Sequence, residues 1–488
     1  MVGAITVIGL LLRLPSFGDA LFGDEVGAYW IVTGRSLGQV IHLLSGHSPE
    51  LNPPFWFVLA WASEKLFGNS AHALKLVSLL AGTATIPMTY VLGRITLGVR
   101  AGVVAAALVA LSPFLIFYST EARPYAVLAL LSVLSTIALV SALETGSRRW
   151  WVLYALFACG VAYTHFTGVF LLGAQFVWAL IAYPGTRRAL IISTAAGAIG
   201  FLPWLPNLVR TARSPGTKLY GALDPFGLHA IRIDLGHWAI GHPYIRLATV
   251  PGGVAVLLLG AGMIVAAVAV AVRLASERGV VGVRRQQVLV VVIACAAPVG
   301  IAIYSDLRAS VWEARNLLSS LPGLALLVAW LLTAGRAPLR FTATALVIAG
   351  MAIGALKLSQ ARHQRPDYSA AAAYIDHADS GRAPVVDLVV PTLTPTPTPG
   401  PPTATEAALA LDRPDHPRPV LRIGLPLPGT VVARRASALA GNGTMFIVAP
   451  TEVPVSRLEA LPARFHRVTS RTFPGFVPVT VYVYRGSG

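Results

Sequence analysis

The chain has 488 residues, of which 55% are hydrophobic and only 12% are charged, and its mean hydropathy is +0.68. This composition excludes a water-soluble globule, a disordered chain and a fibre, and it indicates an integral membrane protein. The 38 Lys and Arg residues outnumber the 21 Asp and Glu residues, which gives a formal charge of +17. In a membrane protein this excess is expected in cytoplasmic loops, so it does not indicate a nucleic-acid partner.

Apolar runs that could cross a bilayer occur eleven times along the chain. A helical crossing needs about 20 apolar residues. The predicted spans are 1–16, 72–93, 101–118, 125–143, 150–164, 167–183, 189–208, 249–272, 287–304, 317–334 and 341–358. Beyond about residue 360 the hydropathy collapses. The predicted fold is therefore an all-α polytopic membrane domain over residues 1–360, followed by a small α/β domain over residues 361–488.

The positions of arginines in short loops predict the orientation of these spans. Alternate loops carry most of the loop arginines, and such loops face the cytoplasm. They contain Arg94, Arg100, Arg148, Arg149, Arg187, Arg188, Arg273, Arg278, Arg284, Arg285, Arg336 and Arg340. This pattern places the N-terminus in the cytoplasm and the first large loop, residues 17–71, outside. The C-terminal domain is then extracytoplasmic, and the predicted location is the plasma (inner) membrane.

The C-terminal domain has mixed secondary-structure signals. An Ala-rich helical stretch follows Arg365, and strand-like runs occur at 385–390, 445–448 and 477–484. A Thr/Pro-rich segment, residues 391–405, interrupts them and favours an extended polyproline conformation. It is interpreted as a linker or, alternatively, as a segment that becomes O-glycosylated.

Two adjacent acids, Asp24 and Glu25, follow the first span directly. Paired carboxylates at a membrane interface are costly unless they are used, and one of them can act as a general base toward a hydroxyl. The alternative is structural: Asp24 would cap the next helix and Glu25 would interact favourably with its dipole.

A second group of charges opens the fourth span, where the sequence reads Glu121-Ala-Arg123-Pro-Tyr125. A helix N-terminus with an arginine beside it can bind an anionic phosphate through free N–H groups and charge-assisted hydrogen bonds. The alternative is an interfacial Glu/Arg pair that only ends a helix.

Five short motifs follow one another in a fixed order. Gly-Asp24-Glu25 follows the first span, Pro53-Pro-Phe-Trp precedes the second, and Ala-Leu-Lys75-Leu opens the second. Glu-Ala-Arg123-Pro-Tyr opens the fourth span and Thr-His165-Phe-Thr-Gly opens the sixth. This order resembles the GT-C membrane glycosyltransferases, specifically the branch of protein O-mannosyltransferases and aminoarabinose–lipid A transferases. The resemblance covers about residues 1–360.

This resemblance implies an extracytoplasmic enzyme that transfers a sugar from a polyprenyl-phosphate carrier to an acceptor hydroxyl, with inversion at the anomeric carbon. It implies that Asp24 is the general base and that Glu25 binds acceptor or donor. Glu121, Arg123 and Tyr125 match a motif placed near the donor phosphate.

Three positions depart from the family pattern. Asn52 stands where His is common, Lys75 stands where Arg is common, and Arg315 is followed by Asn316 instead of Tyr. Lys75 keeps the positive charge but loses the bidentate geometry of arginine. Lys75 and Arg315 are nevertheless expected to bind substrate and, with Arg123, to stabilise the phosphate charge; Lys218 is a further candidate for this role.

The absence of nucleotide motifs also favours a lipid-phosphate donor. The chain has neither G-x-G-x-x-G nor G-x-x-x-x-G-K-[ST], which nucleotide-binding loops commonly carry. A lipid phosphate is a good leaving group, so the acceptor hydroxyl chiefly needs a base.

His165 is assigned to the substrate-binding set, with an interfacial hydrogen-bond donor as the alternative. His42 and His47 are spaced poorly for a metal on a helix, so no metal site is predicted and no cofactor is assigned, although a divalent ion is compatible with the chemistry. Asp224, Asp234, His237 and His242 form no ligand pattern, and they are interpreted as lining an acceptor entrance.

The sequence thus predicts a membrane glycosyltransferase that moves a mannose- or arabinose-class sugar. Its expected partners are the bilayer, the polyprenyl-phosphate sugar and a glycan, lipid or protein hydroxyl of the cell envelope. The alternatives are a flippase or transporter of lipid-linked sugars and an inactive scaffold relative. A transporter tends to place polar groups near the bilayer midplane, whereas this chain collects them at one surface.

Overall fold

The computed structural model describes residues 1–214, 225–276, 284–379, 383–389, 401–424, 429–441, 443–450 and 465–486. The protein is mostly helical and has a small sheet in its C-terminal part, as the sequence predicts. The sheet has five strands, of which the sequence analysis identified three and missed Val420–Gly424 and Phe465–Phe473. Lys218, Asp224, Arg278 and residues 391–400 of the Thr/Pro-rich segment lie outside the described residues.

Eighteen α-helices among the described residues precede residue 360. They are α1 Val2–Leu11, α2 Leu14–Phe17, α3 Asp24–Val32, α4 Leu37–His42, α5 Phe55–Phe67, α6 Ala71–Thr96, α7 Val99–Leu111, α8 Pro113–Ser119, α9 Tyr125–Thr145, α10 Arg148–Thr164, α11 Gly168–Ala182, α12 Arg187–Phe201, α13 Leu205–Arg213, α14 Leu228–Ile240, α15 Gly253–Ser276, α16 Arg285–Leu307, α17 Leu321–Ala334 and α18 Leu339–Lys357.

All eleven predicted spans coincide with helical segments. Within the described residues, seven segments are long and apolar enough to cross a bilayer, or eight if the bent pair α7–α8 is one span. The seven are Ala71–Thr96, Tyr125–Thr145, Pro184–Arg213, Ala248–Ala275, Arg285–Leu307, Ala314–Ala334 and Leu339–Lys357. The chain is therefore a multi-pass membrane protein, and the count of eleven spans stays a prediction.

The helical bundle contains a sharp break between α7 and α8, whose axes differ by 62°. Pro113 begins α8 at a position where its missing N–H is harmless, and Ser112 caps the helix by accepting from the Leu115 N–H at 3.2 Å. The fully buried Arg13 guanidinium donates to the Ala110 carbonyl at 3.2 Å and to the Val109 carbonyl at 3.4 Å. These bonds satisfy carbonyls that the end of α7 leaves without helical partners.

Contacts group the chain into two compact units. The first unit comprises Met1–Phe17, Leu37–Ala60 and Lys75–Leu358. The second comprises Gly18–Ser36, Trp61–Leu74 and Ser359–Gly488. The second unit thus combines the C-terminal part of the chain with two segments of the predicted first outer loop.

The second unit contains three further described helices and the sheet. The helices are α19 Tyr368–Ala378, α20 Ala404–Asp412 and α21 Gly429–Ala440; the strands are β1 Val385–Val389, β2 Val420–Gly424, β3 Thr444–Pro450, β4 Phe465–Phe473 and β5 Val479–Gly486. The strand order is β2-β1-β3-β5-β4. The pairs β1–β2 and β1–β3 are parallel, whereas β3–β5 and β5–β4 are antiparallel.

Alternating side chains of the sheet form two apolar cores. Val385 and Phe446 pack with residues of α19 and α20, including Ile375 and Ala408. Their neighbours on the opposite sheet face form a separate core with Ala436 of α21. The helices α19 and α20 therefore contribute to one core and α21 to the other, an α/β arrangement that buries both faces of the sheet.

Candidate active site

The turn between α8 and α9 carries the Glu121-Ala-Arg123-Pro-Tyr125 motif and lies within the first unit. Glu121 and Arg123 are both only 4% exposed. The Arg123 carbonyl accepts a hydrogen bond from Ser78 Oγ at 3.0 Å, and Ser78 Oγ accepts from Trp56 Nε1 at 3.1 Å. Helices α5 and α6 therefore fix the backbone of the turn through a chain of buried hydrogen bonds.

The Arg123 guanidinium forms a bidentate ion pair with Glu50. Arg123 Nη1 contacts Glu50 Oε2, and Nη2 donates to Glu50 Oε1 at 3.2 Å, with both side chains buried. Glu50 Oε1 also accepts from the backbone N–H of Leu51 at 3.1 Å and of Asn52 at 2.9 Å, and from Asn52 Nδ2 at 2.8 Å. Glu50 thus holds the Arg123 side chain in one orientation.

Glu50 lies in the loop 17–71, which the sequence predicts to be outside, but the sequence analysis did not assign it to the site. The available signal was its position two residues before Asn52, in the segment that leads into the Pro-Pro motif. Asn52, which departs from the family pattern, here supplies a side-chain donor to Glu50.

Aromatic rings connect this turn to His165, which lies between α10 and α11. The Tyr118 and Tyr125 ring centroids are 4.9 Å apart, and the Tyr125 ring lies 5.5 Å from the His165 ring. His165 Nδ1 accepts from the Thr167 backbone N–H at 3.3 Å and lies 2.8 Å from Thr167 Oγ1. An accepting Nδ1 places the proton of a neutral imidazole on Nε2.

His165 stays neutral at ordinary pH for physical reasons. Burial, together with the nearby positive charges of Arg123 and Arg315, lowers the pKa of its imidazole from 6.5 to about 3. His165 therefore contributes no charge to the site and acts through hydrogen bonding.

Arg315 belongs to the same group of charges. It lies on the 3-10 segment Ala314–Ser320 and forms an ion pair with Glu313, in which both side chains are partly exposed. Tyr118 lies within electrostatic range of Arg315, Glu121 and Tyr244. Asn316, which replaces the family's tyrosine, donates to the Val311 carbonyl at 2.7 Å.

The first unit thus brings together five predicted site residues: Glu121, Arg123, Tyr125, His165 and Arg315. We call these residues, with Glu50 and Tyr118, the arginine cluster. Lys75 is fully buried on α6, one turn before Ser78, in the same unit. Both guanidinium groups pair with carboxylates, Arg123 with Glu50 and Arg315 with Glu313, so the cluster offers an anion such as a phosphate charge-assisted donors without a net positive charge.

The loop after α14 supplies two aromatic neighbours: His242, which the sequence analysis interpreted as lining an acceptor entrance, and Tyr244, which it did not assign. The Phe117 ring lies 4.7 Å from the His242 ring and 5.5 Å from the Tyr244 ring. His242 is 1% exposed, whereas Tyr244 is 49% exposed. Tyr244 thus offers an accessible aromatic surface beside Tyr118.

Asp24 and Glu25 belong to the second unit, where they are the first two residues of α3. Gly23, and not Asp24, is the N-cap, and its φ of +58° lies in a region that favours glycine. Asp24 is exposed and Glu25 is fully buried. Arg365 Nε donates to Glu25 Oε2 at 2.8 Å, a contact that the sequence analysis missed because 340 residues separate the two positions.

No three His, Cys, Asp or Glu side chains come together as a metal site in the part of the chain that the structure describes. His42 and His47 stack on one another with ring centroids 3.8 Å apart, and His47 Nδ1 lies 2.9 Å from the His42 carbonyl oxygen. Those contacts are local to one helical kink.

Comparisons with known proteins agree with this architecture. Residues 51–209 match the family described as dolichyl-phosphate-mannose-protein mannosyltransferase. No curated protein sequence matches the chain. The structure of ArnT from Cupriavidus metallidurans in the apo state superposes with a TM-score of 0.56 at 13% identity, over 99% of this chain and 97% of that chain.

Two liganded structures are also similar. ArnT from the same organism bound to undecaprenyl phosphate gives a TM-score of 0.54 at 13% identity, with the same coverage. The archaeal oligosaccharyltransferase AglB from Archaeoglobus fulgidus, in complex with an inhibitory peptide and a dolichol-phosphate, gives a TM-score of 0.50 at 13% identity. The match covers 91% of this chain and 69% of that chain. The chain has the GT-C fold of membrane glycosyltransferases, and the resemblance inferred from its motifs is confirmed.

Proposed function

We propose that the protein is a membrane glycosyltransferase that takes a sugar from a polyprenyl-phosphate donor and places it on an acceptor hydroxyl. The observation that carries the proposal is the arginine cluster, which gathers Arg123 and Arg315 around a neutral His165 within the GT-C fold. Such a cluster suits the phosphate that leaves when the bond to the sugar breaks.

The proposed reaction is a direct displacement. Asp24 accepts the proton of the acceptor hydroxyl, whose oxygen attacks the anomeric carbon on the side opposite the phosphate. The bond between the anomeric carbon and the phosphate oxygen breaks, the phosphate leaves with the bonding electrons, and the configuration inverts. A positioned base of this kind contributes about 10²- to 10⁴-fold to the rate.

The binding roles follow from the side chains. Arg123 and Arg315 stabilise the phosphate charge, with Lys75 as a further cation. Tyr125, together with His165 through its Nε2–H, supplies hydrogen bonds near the phosphate. Glu121 retains the substrate-binding role that the family motif implies. Glu25 was expected to bind acceptor or donor, and its burial against Arg365 favours a contribution through positioning.

The proposal includes the orientation and the substrates that the sequence favours. The active site and the C-terminal domain face the outside of the plasma membrane, and the donor carries a mannose- or arabinose-class sugar. The acceptor is a hydroxyl of a cell-envelope glycan, lipid or protein.

A transfer assay tests the proposal. The purified protein in lipid nanodiscs is incubated with radiolabelled polyprenyl-phosphate mannose or arabinose and a cell-envelope extract. We expect labelled product from the wild type and at least 100-fold less from Asp24→Asn, because a general base is lost. Absence of product with both donors and all envelope fractions would overturn the proposal.

The same labelled donors distinguish the transferase from the rival function, a transporter of lipid-linked sugars. In sealed proteoliposomes, a transporter would move the labelled lipid between leaflets without forming product. That result would replace the transferase proposal with the transport alternative.

A further inference from the structure

A buried ion-pair network joins the segment that carries Asp24 to the beginning of the C-terminal domain. The Arg365 side chain is 1% exposed, and its two carboxylate partners, Glu25 and Asp19, are 1% and 10% exposed. Arg365 Nε donates to Glu25 Oε2 at 2.8 Å, and Nη1 lies 3.7 Å from Asp19 Oδ2. The Arg365 backbone N–H also donates to Asp19 Oδ2, at 3.2 Å.

Further contacts hold together the two segments that the network joins, the acidic segment and the start of the C-terminal domain. Glu25 Oε2 also accepts from the Phe22 N–H at 3.2 Å, and the Phe22 ring packs edge-on against Phe476 at 5.4 Å. The Phe476 N–H donates to the Gln364 carbonyl at 2.9 Å, next to Arg365. The acidic segment and the C-terminal domain therefore meet through charge, hydrogen bonds and apolar packing within one compact unit.

The two carboxylates that pair with Arg365 lie on either side of Asp24 in the sequence. Asp19 lies five residues before it and Glu25 directly after it, and both carboxylates share the Arg365 guanidinium. Asp24 itself is exposed at the first position of α3. A buried charge that keeps two partners is hard to move, since displacement would leave a buried carboxylate unpaired.

We propose that Arg365 is a positioning residue that holds the segment Asp19–Glu25 and thereby sets the place of the Asp24 carboxylate. This inference rests on the proposed function, in which Asp24 is the base. The C-terminal domain then contributes directly to the geometry of catalysis. Misplacement of a catalytic group by about 1 Å can lower a rate about 100-fold.

The test compares Arg365→Met with Arg362→Met. Arg362 is exposed three residues earlier, and its guanidinium bonds only to the Gln360 side chain in the described part of the chain, so it controls for loss of an arginine in the same segment. We expect Arg365→Met to lower kcat by about 10- to 100-fold. Its Kd for undecaprenyl phosphate should remain within twofold of wild type, because the arginine cluster is unchanged. Arg362→Met should alter neither quantity.

A double variant distinguishes positioning from general damage. If Arg365 acts through Asp24, Asp24→Asn/Arg365→Met should be no slower than Asp24→Asn alone, measured per folded protein. Independent losses that multiply in the double variant would overturn the proposal. If Arg365→Met does not fold, Arg365→Lys serves instead, since an ammonium keeps the charge but loses the fork that reaches two carboxylates.

Hydrogen–deuterium exchange gives a readout that does not depend on activity. We expect residues 19–32 to exchange at least tenfold faster in Arg365→Met than in wild type and Arg362→Met. Unchanged exchange would overturn the proposal. A wild-type protein that transfers no sugar would overturn the proposed function alone, while the exchange result would still decide whether Arg365 fixes this segment.

Discussion

At the scale of single residues, the two site arginines differ in how firmly their ion pairs are held. Arg123 and Glu50 are 5% and 8% exposed, whereas Arg315 and Glu313 are 21% and 29% exposed. Removing one partner of a buried pair leaves an uncompensated charge, but an exposed pair is screened by solvent. Arg123 is therefore part of the scaffold of the site, and Arg315 is held more loosely.

This difference gives a stability prediction. Glu50→Ala should lower the free energy of unfolding by about 3–5 kcal/mol, because Arg123 would remain buried without this partner. Glu313→Ala, the matched control, should lower it by less than about 1 kcal/mol. Denaturant unfolding in detergent micelles measures both. Equal effects of the two substitutions would contradict the assigned difference.

Arg315 is predicted to act mainly on the phosphate. Arg315→Met should weaken binding of undecaprenyl phosphate about tenfold or more, since a charge-assisted hydrogen bond contributes about 1.5–3 kcal/mol. Arg308→Met is the control, because Arg308 is exposed at the end of α16. Equilibrium binding to the protein in nanodiscs measures the change, and equal affinities for the two variants would count against a role at the phosphate.

At the scale of elements, the break between α7 and α8 depends on donors from outside these helices. Arg13 reaches the Val109 and Ala110 carbonyls from the end of α1, and Ser112 caps α8. Gly82 lets α6 approach the end of α8, because a Cβ at this position would lie 2.0 Å from Ser119 Oγ. The break therefore brings the chain to the Glu121–Arg123 turn.

Replacement of Arg13 tests this dependence. Arg13→Met should destabilise the protein by about 2 kcal/mol or more, since buried carbonyls would lose their donors at about 1–3 kcal/mol each. Arg94→Met, at an exposed position on α6, should change stability by less than about 0.5 kcal/mol. Thermal unfolding of both variants makes the comparison. A small effect of Arg13→Met would mean that water or other groups replace its bonds.

The sequence predicted elements better than it predicted contacts between them. Long apolar runs identified α6, α9 and α16 because burial in lipid imposes a length and composition that one segment displays alone. Arg13 falls within the first predicted span, 1–16, and nothing in the local sequence shows that its partners lie nearly 100 residues away. The motif order likewise found Arg123 and His165, whereas Glu50 and Arg365 depend on distant pairing.

At the scale of the whole molecule, the two units are predicted to respond oppositely to acid. In the second unit, burial raises the pKa of Asp387 to about 6, above its ordinary value of 3.8. The folded state then retains a proton that the unfolded state loses, so stability from Asp387 falls as pH rises from about 4 to 6. His165 in the first unit has a lowered pKa, so its contribution falls as pH drops below 6.5.

Acidification from pH 7 to pH 5 should therefore destabilise the first unit through His165 and stabilise the second through Asp387. Each effect is at most about 1.4 kcal/mol per pH unit. Hydrogen exchange, followed during denaturant titration and corrected for the intrinsic exchange rates at each pH, measures the stability of each unit separately. His165→Gln and Asp387→Asn should each remove one of the two trends. Trends that survive both substitutions would show that other groups cause them.

The second unit is assembled from two segments of the first 74 residues, Gly18–Ser36 and Trp61–Leu74, and from Ser359–Gly488 at the other end of the sequence. A ribosome therefore releases Asp19 and Glu25 more than 300 residues before it makes Arg365. During that interval the acidic segment has no cation from the C-terminal domain. If Arg365 positions Asp24 as proposed, the nascent chain transfers sugar at its full rate only after the ribosome has made Arg365 and this residue has paired with the acidic segment.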